Sequence, residues 1–275
     1  MFFWATYIST VIQARPTMTR SNVASIIDSS NKIEFIEEIS IVIAAQDLTP
    51  TMMSLDFLRF SGIISKEWEL SQQPVLNPNV AQLNFTNGVS INAQPRTVNI
   101  SESLSNKPTE NLVFHTIASK YIEKLPHAEY VGFSLSPKIL LPFPDSPASA
   151  RQYITDTLLG SGSWKRIGKV PVQAGVNLVY HLDRCQMTIA VSEAKLQRPQ
   201  EQPVKAILFA GNFNYSVNSN SERAENRTTQ IINFLNNWKT DLEEFRKIVN
   251  EKFLDDTEDR SDSIGEKSLF PGQTL

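Results

Sequence analysis

The chain has 275 residues, 41% hydrophobic and 20% charged, with 26 Lys and Arg against 29 Asp and Glu. This balance excludes a chain too polar to build a core, and it leaves no basic excess for gripping phosphates, so nucleic acid is not an expected partner. One cysteine, Cys185, excludes an internal disulfide and a cysteine-built zinc site, and 10 glycines leave little material for phosphate-cradling loops.

Residues 1–12 are mostly apolar but fall short of the ~20 residues a membrane-spanning helix needs, so no membrane span is expected. Residues 1–34 read as a leader with three open readings. They are a segment packed on the body, an extension ahead of a start near Met18, or a targeting segment. The single cysteine fits a reducing compartment, and the expected location is cytoplasmic.

The short β-branched run at 38–45 predicts a buried strand. Thr49-Pro50 then opens a helix, with Thr as cap and Pro at the first turn, and Gly62 closes it. Trp68 heads a further extended run. Residues 80–85 and 89–93 alternate around Asn87-Gly88, which predicts a hairpin on a two-residue type I′ turn. A strand at 97–104 and a helix at 109–125, stopped by Pro126, complete this pattern.

The same order then recurs. A strand spans 128–135, Ser146-Pro147 opens a helix, Gly160 closes it, and Trp164 follows. Residues 176–182 and 185–191 alternate around Asp183-Arg184, a strand follows at 204–215, and a helix runs from 221 to 254. Matched punctuation lies 96 to 98 residues apart: Pro50 and Pro147, Gly62 and Gly160, Trp68 and Trp164, Asn87 and Asp183. Recurrence at one fixed spacing reads as an internal duplication. The fold class is therefore α+β, with β-α-β-β-β-α halves at about 35–126 and 127–254. They share one curved, mostly antiparallel sheet with helices on one side. Residues 35–254 form one domain, and the net-acidic stretch 255–275 reads as a disordered tail. In element order this resembles the duplicated TATA-box-binding-protein-like architecture, although no sequence motif of that family is present, and a fold analogy carries no function by itself.

Strand alternation separates two faces. Ala81, Leu83, Phe85, Val89 and Ile91, with Met187, Ile189 and Val191, point toward the helices. The opposite face is polar but almost uncharged. Its candidate binding residues are Gln82, Asn84, Ser90, Asn92, Asn99, His181, Thr188, Asn212 and Asn214. Amides and hydroxyls at that spacing suit hydrogen bonding to a protein partner or a polar small molecule. In the last helix, Leu235, Trp238, Leu242 and Phe245 follow a 3-4-3 spacing, which gives either a core stripe or an oligomer contact.

Catalytic patterns do not assemble. Gly160-Ser161-Gly162 follows a helix, the wrong context for a dinucleotide loop. Gly132-Phe133-Ser134-Leu135-Ser136 lacks the last glycine of a nucleophile elbow. His115, His127 and His181 have no helical-spaced partner for a metal, and alternation puts His181 and Cys185 on opposite faces. No cofactor or metal is expected. The function expected is a non-enzymatic protein-interaction module, with a protein partner that includes a second copy bound through the last helix. One alternative is an enzyme or small-molecule binder with a site between the halves. A further one is nucleic-acid binding by the sheet face.

Overall fold

The β-branched run that opens the folded part forms β1 (Ile36–Ala45), and the remaining strands array around it. They are β2 (Val75–Leu76), β3 (Ala81–Asn84), β4 (Val89–Gln94), β5 (Thr97–Ser103), β6 (Tyr130–Pro142), β7 (Gly175–His181), β8 (Gln186–Leu196) and β9 (Val204–Ser216). The computed structural model describes residues 35–104, 107–143, 149–160, 162–198, 201–217 and 224–254. The leader, the acidic tail and the Ser146-Pro147 helix start lie outside the described residues. All nine strands join one antiparallel sheet in the order β2-β3-β4-β5-β1-β6-β9-β8-β7.

The helices are α1 (Leu55–Phe60), α2 (Phe114–Lys124), α3 (Ser149–Gln152), α4 (Ala224–Asn236) and α5 (Trp238–Ile248). Their apolar sides share one core with alternate residues of the strands. Ile39, Ile41 and Ile43 of β1, Ile189 and Val191 of β8, and Phe209 and Phe213 of β9 are buried there with Phe114, Tyr121, Ile154, Leu242 and Phe245. The period of two on the strands and of 3.6 on the helices therefore meets in one layer. No helix of the described residues is long and apolar enough to cross a membrane.

Local departures from the sequence expectations have local causes. Thr49-Pro50 starts only a 3-10 turn, Pro50–Met52, and the helix proper begins after Ser54, whose hydroxyl accepts from Phe57 N at 3.1 Å. Ser54 is thus the working cap. The hairpin between β3 and β4 is not of type I′, because only Gly88, at φ +86°, is left-handed there. Gly88 N donates to Phe85 O at 3.2 Å and Phe85 N to Val89 O at 2.9 Å, the pattern of a type I turn followed by a left-handed glycine. The extended run at Trp68 makes a single bridge, Leu70 to Phe85, and Trp68 packs edge-on against that ring at 5.2 Å. The extra strand is β2 instead. Around Trp164 the chain forms a 3-10 turn, Ser163–Arg166.

α2 is shorter than its apolar pattern, because Glu102 sets where it starts. This fully buried carboxylate of β5 accepts from Val113 N at 2.7 Å and Phe114 N at 2.9 Å, and pairs with Lys107 at 2.7 Å. An anion at a helix N-terminus satisfies orphan N–H groups and meets the positive end of the helix dipole. The long last helix is broken at Asn237 into α4 and α5, and Trp238 starts the second piece stacked on His115 at 4.8 Å and edge-on to Phe114 at 5.2 Å.

Candidate functional site

The described helices pack on one side of the sheet, and the register fixes what the other face shows. One row runs Gln82, Asn92, Asn99, Val42, Ser134, Asn214, Gln186, His181, each paired with the next across neighbouring strands. The adjacent row begins Asn84, Ser90, Ser101, Ser40, Ser136. It continues beyond the Leu135–Phe213 pair with Asn212, Thr188 and Val179. The structure thus places all nine candidate residues from the sequence in two neighbouring rows on one surface. Sequence reading passed over Ser40, Ser134 and Ser136, which join the two ends of each row. Their signal was present: in Ile39-Ser40-Ile41 the serine takes the face opposite the two isoleucines.

The left-hand part of this surface is internally bonded. Ser90 Oγ donates to Asn84 Oδ1 at 2.6 Å, and Asn92 Nδ2 donates to Ser90 Oγ at 3.1 Å. Ser40 Oγ donates to Ser136 O at 3.3 Å at the central strand pair. Asn99 Oδ1 is shielded and has no hydrogen-bond partner among the described residues, an acceptor left unused in the middle of the face. The strand cation on this face, Lys138, is paired with Glu38 at 2.9 Å, whereas Lys195 and Lys205 have the parity of the helix side. Beyond that pair the face turns apolar and is covered, with Ile36, Leu140, Leu196 and Ala206 buried together, so the open part is the polar rows.

On the helix side, ion pairs tie the sheet to the helices. Arg246 of α5 pairs with Glu37 of β1, and Arg151 of α3 pairs with Glu193 of β8 at 2.8 Å. The most buried of them joins the β7–β8 turn to α5. Arg184 donates to Asp241 Oδ1 from Nε at 3.0 Å and from Nη2 at 2.7 Å, and also pairs with Glu244, while Tyr215 Oη donates to Asp241 Oδ2 at 2.6 Å. Burial pushes the Asp241 carboxyl above its ordinary value, and the tyrosine hydroxyl and guanidinium pull against it. Cys185 sits beside this group, and burial pushes its thiol up to about 11, the opposite of what a nucleophilic cysteine needs. His181 is on the open face, so the two do not meet. Ser134 lies in mid-strand rather than on an elbow.

A cleft of ≈360 Å³ opens beside α3, between Arg151, Thr155, Lys165, Val172 and Lys205. Its lining comes entirely from the second half of the chain, so it is not the site between halves that sequence reading offered. Two of its cations are already matched, Arg151 by Glu193 and Lys165 by Asp156. Among the described residues no three His, Cys, Asp or Glu side chains converge in a way that would hold a metal ion.

The stripe offered as an oligomer contact lies inside the chain. Leu235, Trp238, Leu242 and Phe245 are 2%, 5%, 2% and 0% exposed, packed on the chain's own sheet and on α2. A contact through them would require the core to open. His115, stacked on Trp238, is held below its usual value, mainly by burial, with Lys239 adding to that and Glu102 opposing it. A histidine with a lowered folded value contributes stability above its unfolded value and loses it as pH falls through the folded one. The fall in melting temperature between pH 7 and pH 5 is therefore expected to be smaller in His115→Gln than in the parent, as thermal melts across that range will show.

No family model matches the chain, and no curated protein matches it significantly.

Proposed function

We propose that the protein is a non-enzymatic interaction module that presents the open face of its sheet to a protein partner. The observation that carries this reading is the chemistry of the two central rows. They are built almost wholly of Asn, Gln, Ser and Thr, with the sole strand cation among the described residues of that face neutralised by Glu38. The two rows cross eight strands at ~4.8 Å spacing and so run for roughly 34 Å, the reach of a protein–protein contact. Nucleic acid would call for unpaired cations on it.

The duplication belongs to the same proposal. Outward from the centre the strands run β1, β5, β4, β3 on one side and β6, β9, β8, β7 on the other. Ser40 and Ser136, 96 residues apart, stand opposite each other at the central pair, where a pseudo-twofold axis relating the halves would pass. Gly62 and Gly160 both close their helices at left-handed φ, +74° and +70°. These features support two related halves arranged in the TATA-box-binding-protein-like manner, with the polar rows across their junction.

The test uses Asn92→Arg with Asn212→Arg, one from each row and each half. Neither side chain faces the core, and the only described hydrogen bond lost is Asn92 to Ser90, so melting should fall by no more than a few degrees. The intact parent chain is expected to retain a defined protein from an extract of its native cell, and the double variant to lose it. Equal retention by both overturns the open-face reading. Retention on DNA that falls steeply with salt would favour the nucleic-acid alternative.

A further inference from the structure

The two edges of the sheet are built differently. β2 is only two residues long, with Pro74 immediately before it and Pro78 two positions after it, and proline cannot donate to an added strand. β7 is seven residues long, Gly-Val-Asn-Leu-Val-Tyr-His, and contains no proline and no charge. Among the described residues it pairs on one side only, with β8, and shows no register shift. β7 and the loop before it also carry four of the exposed large apolar side chains among the described residues. Ile167, Val170, Val179 and Tyr180 are 77%, 75%, 50% and 37% exposed. Natural sheets normally blunt such an edge with Lys, Pro or a bulge, and β7 carries none of these.

The hydrogen-bond phase of β7 is known from its turn. Leu182 N donates to Cys185 O at 2.9 Å, so bonded pairs to β8 fall on even-numbered residues, Tyr180–Met187, Leu178–Ile189 and Val176–Val191. The N–H and C=O groups of Gly175, Asn177, Val179 and His181 therefore point away from the sheet. Two β7 strands placed antiparallel about a twofold axis through Leu178 satisfy these groups mutually. Gly175 bonds with His181 of the other copy, and Asn177 with Val179. The same register makes Val176 face Tyr180 and Leu178 face its own copy as non-bonded pairs, whose Cα atoms approach to ~4.5 Å. These are a β-branched–aromatic pair and an aliphatic pair, both favourable across strands. A twofold pairing sets identical residues near one another, and an uncharged strand is the kind that tolerates this.

We propose that β7 is a self-pairing edge, and that the protein forms a twofold dimer in which the sheets of two copies join antiparallel through β7, centred on Leu178. This places the second copy on the sheet edge, independently of what binds the open face. Light scattering of the parent is expected to give twice the chain mass at tens of micromolar. Val179→Pro removes an outward N–H and leaves the β8 ladder intact, so it should halve the measured mass with little change in melting. Val179→Lys, which keeps the backbone donor and adds a like charge to each copy, should do the same if the proline variant folds poorly. Leu76→Lys at the other edge should leave the dimer intact. The register is tested in a Cys185→Ser background: Leu178→Cys should crosslink to a covalent dimer on mild oxidation, whereas Tyr180→Cys, which faces Val176, should not. A monomeric parent at 100 µM, or a Val179→Lys variant that remains dimeric, overturns the proposal. Crosslinking at Tyr180→Cys in place of Leu178→Cys overturns the register.

Discussion

Arg184→Ala is expected to destabilise the fold by about 3 kcal/mol, read as a lower urea midpoint with an unchanged slope. The removed guanidinium holds Asp241, whose side chain is 0% exposed, while Arg184 itself is 32% exposed. Breaking a buried pair from one side costs ~3–5 kcal/mol because the remaining charge is stranded. The low end applies here because water can reach the place Arg184 vacates. Tyr215 Oη then becomes the remaining donor to Asp241, and Glu244 adds a like charge nearby. The cation-over-ring contact of Arg184 with Phe213, at 5.8 Å, is lost as well. The variant should also change its response to pH. Burial already raises the Asp241 carboxyl, and removing its cation raises it further. A folded state that binds a proton more tightly than the unfolded state gains stability as pH falls. Arg184→Ala should therefore recover part of its loss between pH 7 and pH 5. The triple change Arg184→Met, Asp241→Leu, Tyr215→Phe, which removes the buried carboxylate together with both of its donors and leaves the partly exposed Glu244, should regain most of the stability. A single variant as stable as the parent would mean that water supports Asp241 without Arg184.

Gly211→Val carries the second large effect, also about 3 kcal/mol, the upper end of the usual cost of overpacking. Gly211 lies on the helix side of β9. A Cβ there would stand 2.7 Å from Phe245 Cδ2 and 3.1 Å from Pro137 Cγ. Phe245 is fully buried and cannot swing aside, so α5 must lift from the sheet. The backbone of Gly211 needs no left-handed φ, and the reason for glycine is space alone. Shortening the ring should relieve the clash, so Gly211→Ala with Phe245→Leu should be less destabilised than the sum of its single variants. Gly132→Ala is the contrasting case. It lies on the open face, where the nearest atom to a new Cβ is Ala44 Cβ at 3.6 Å, an ordinary contact. Its melting temperature should stay within a degree or two of the parent's. Thermal melts of these five variants decide both points.

Much of the sheet was legible because alternation is a one-dimensional property. Ala81-Gln82-Leu83-Asn84-Phe85 and Gln186-Met187-Thr188-Ile189 declare their faces residue by residue, and the register brings the polar members into continuous rows. Turn chemistry was legible only to the level of residue type. Asn87-Gly88 marked a turn, but whether one or both residues take positive φ depends on how many residues the flanking ladder spares, and here Thr86 is drawn into the loop. Helix starts were less legible still. Thr49-Pro50 looked like the better cap, yet the helix waits for Ser54. The start of α2 is set by Glu102, a carboxylate 11 residues before Val113 that the preceding strand β5 delivers to the helix end.

The last helix shows the same limit most sharply. The spacing of Leu235, Trp238, Leu242 and Phe245 establishes an amphipathic face, but spacing holds no information about what covers it. The tertiary structure decides that, by breaking the helix at Asn237 and laying both pieces on the chain's own sheet. The free edge of β7 was invisible for a related reason. Alternation identifies a strand, but whether a strand has one neighbour or two is a property of the whole sheet. By itself the sequence determined the α+β class, the two faces of each strand and the charge-poor character of the open one, since these follow from local periodicity and composition. Only the tertiary structure decided which strand ends the sheet, which apolar stripe is consumed internally, and which buried charges meet, because each of these depends on groups brought together from distant parts of the chain.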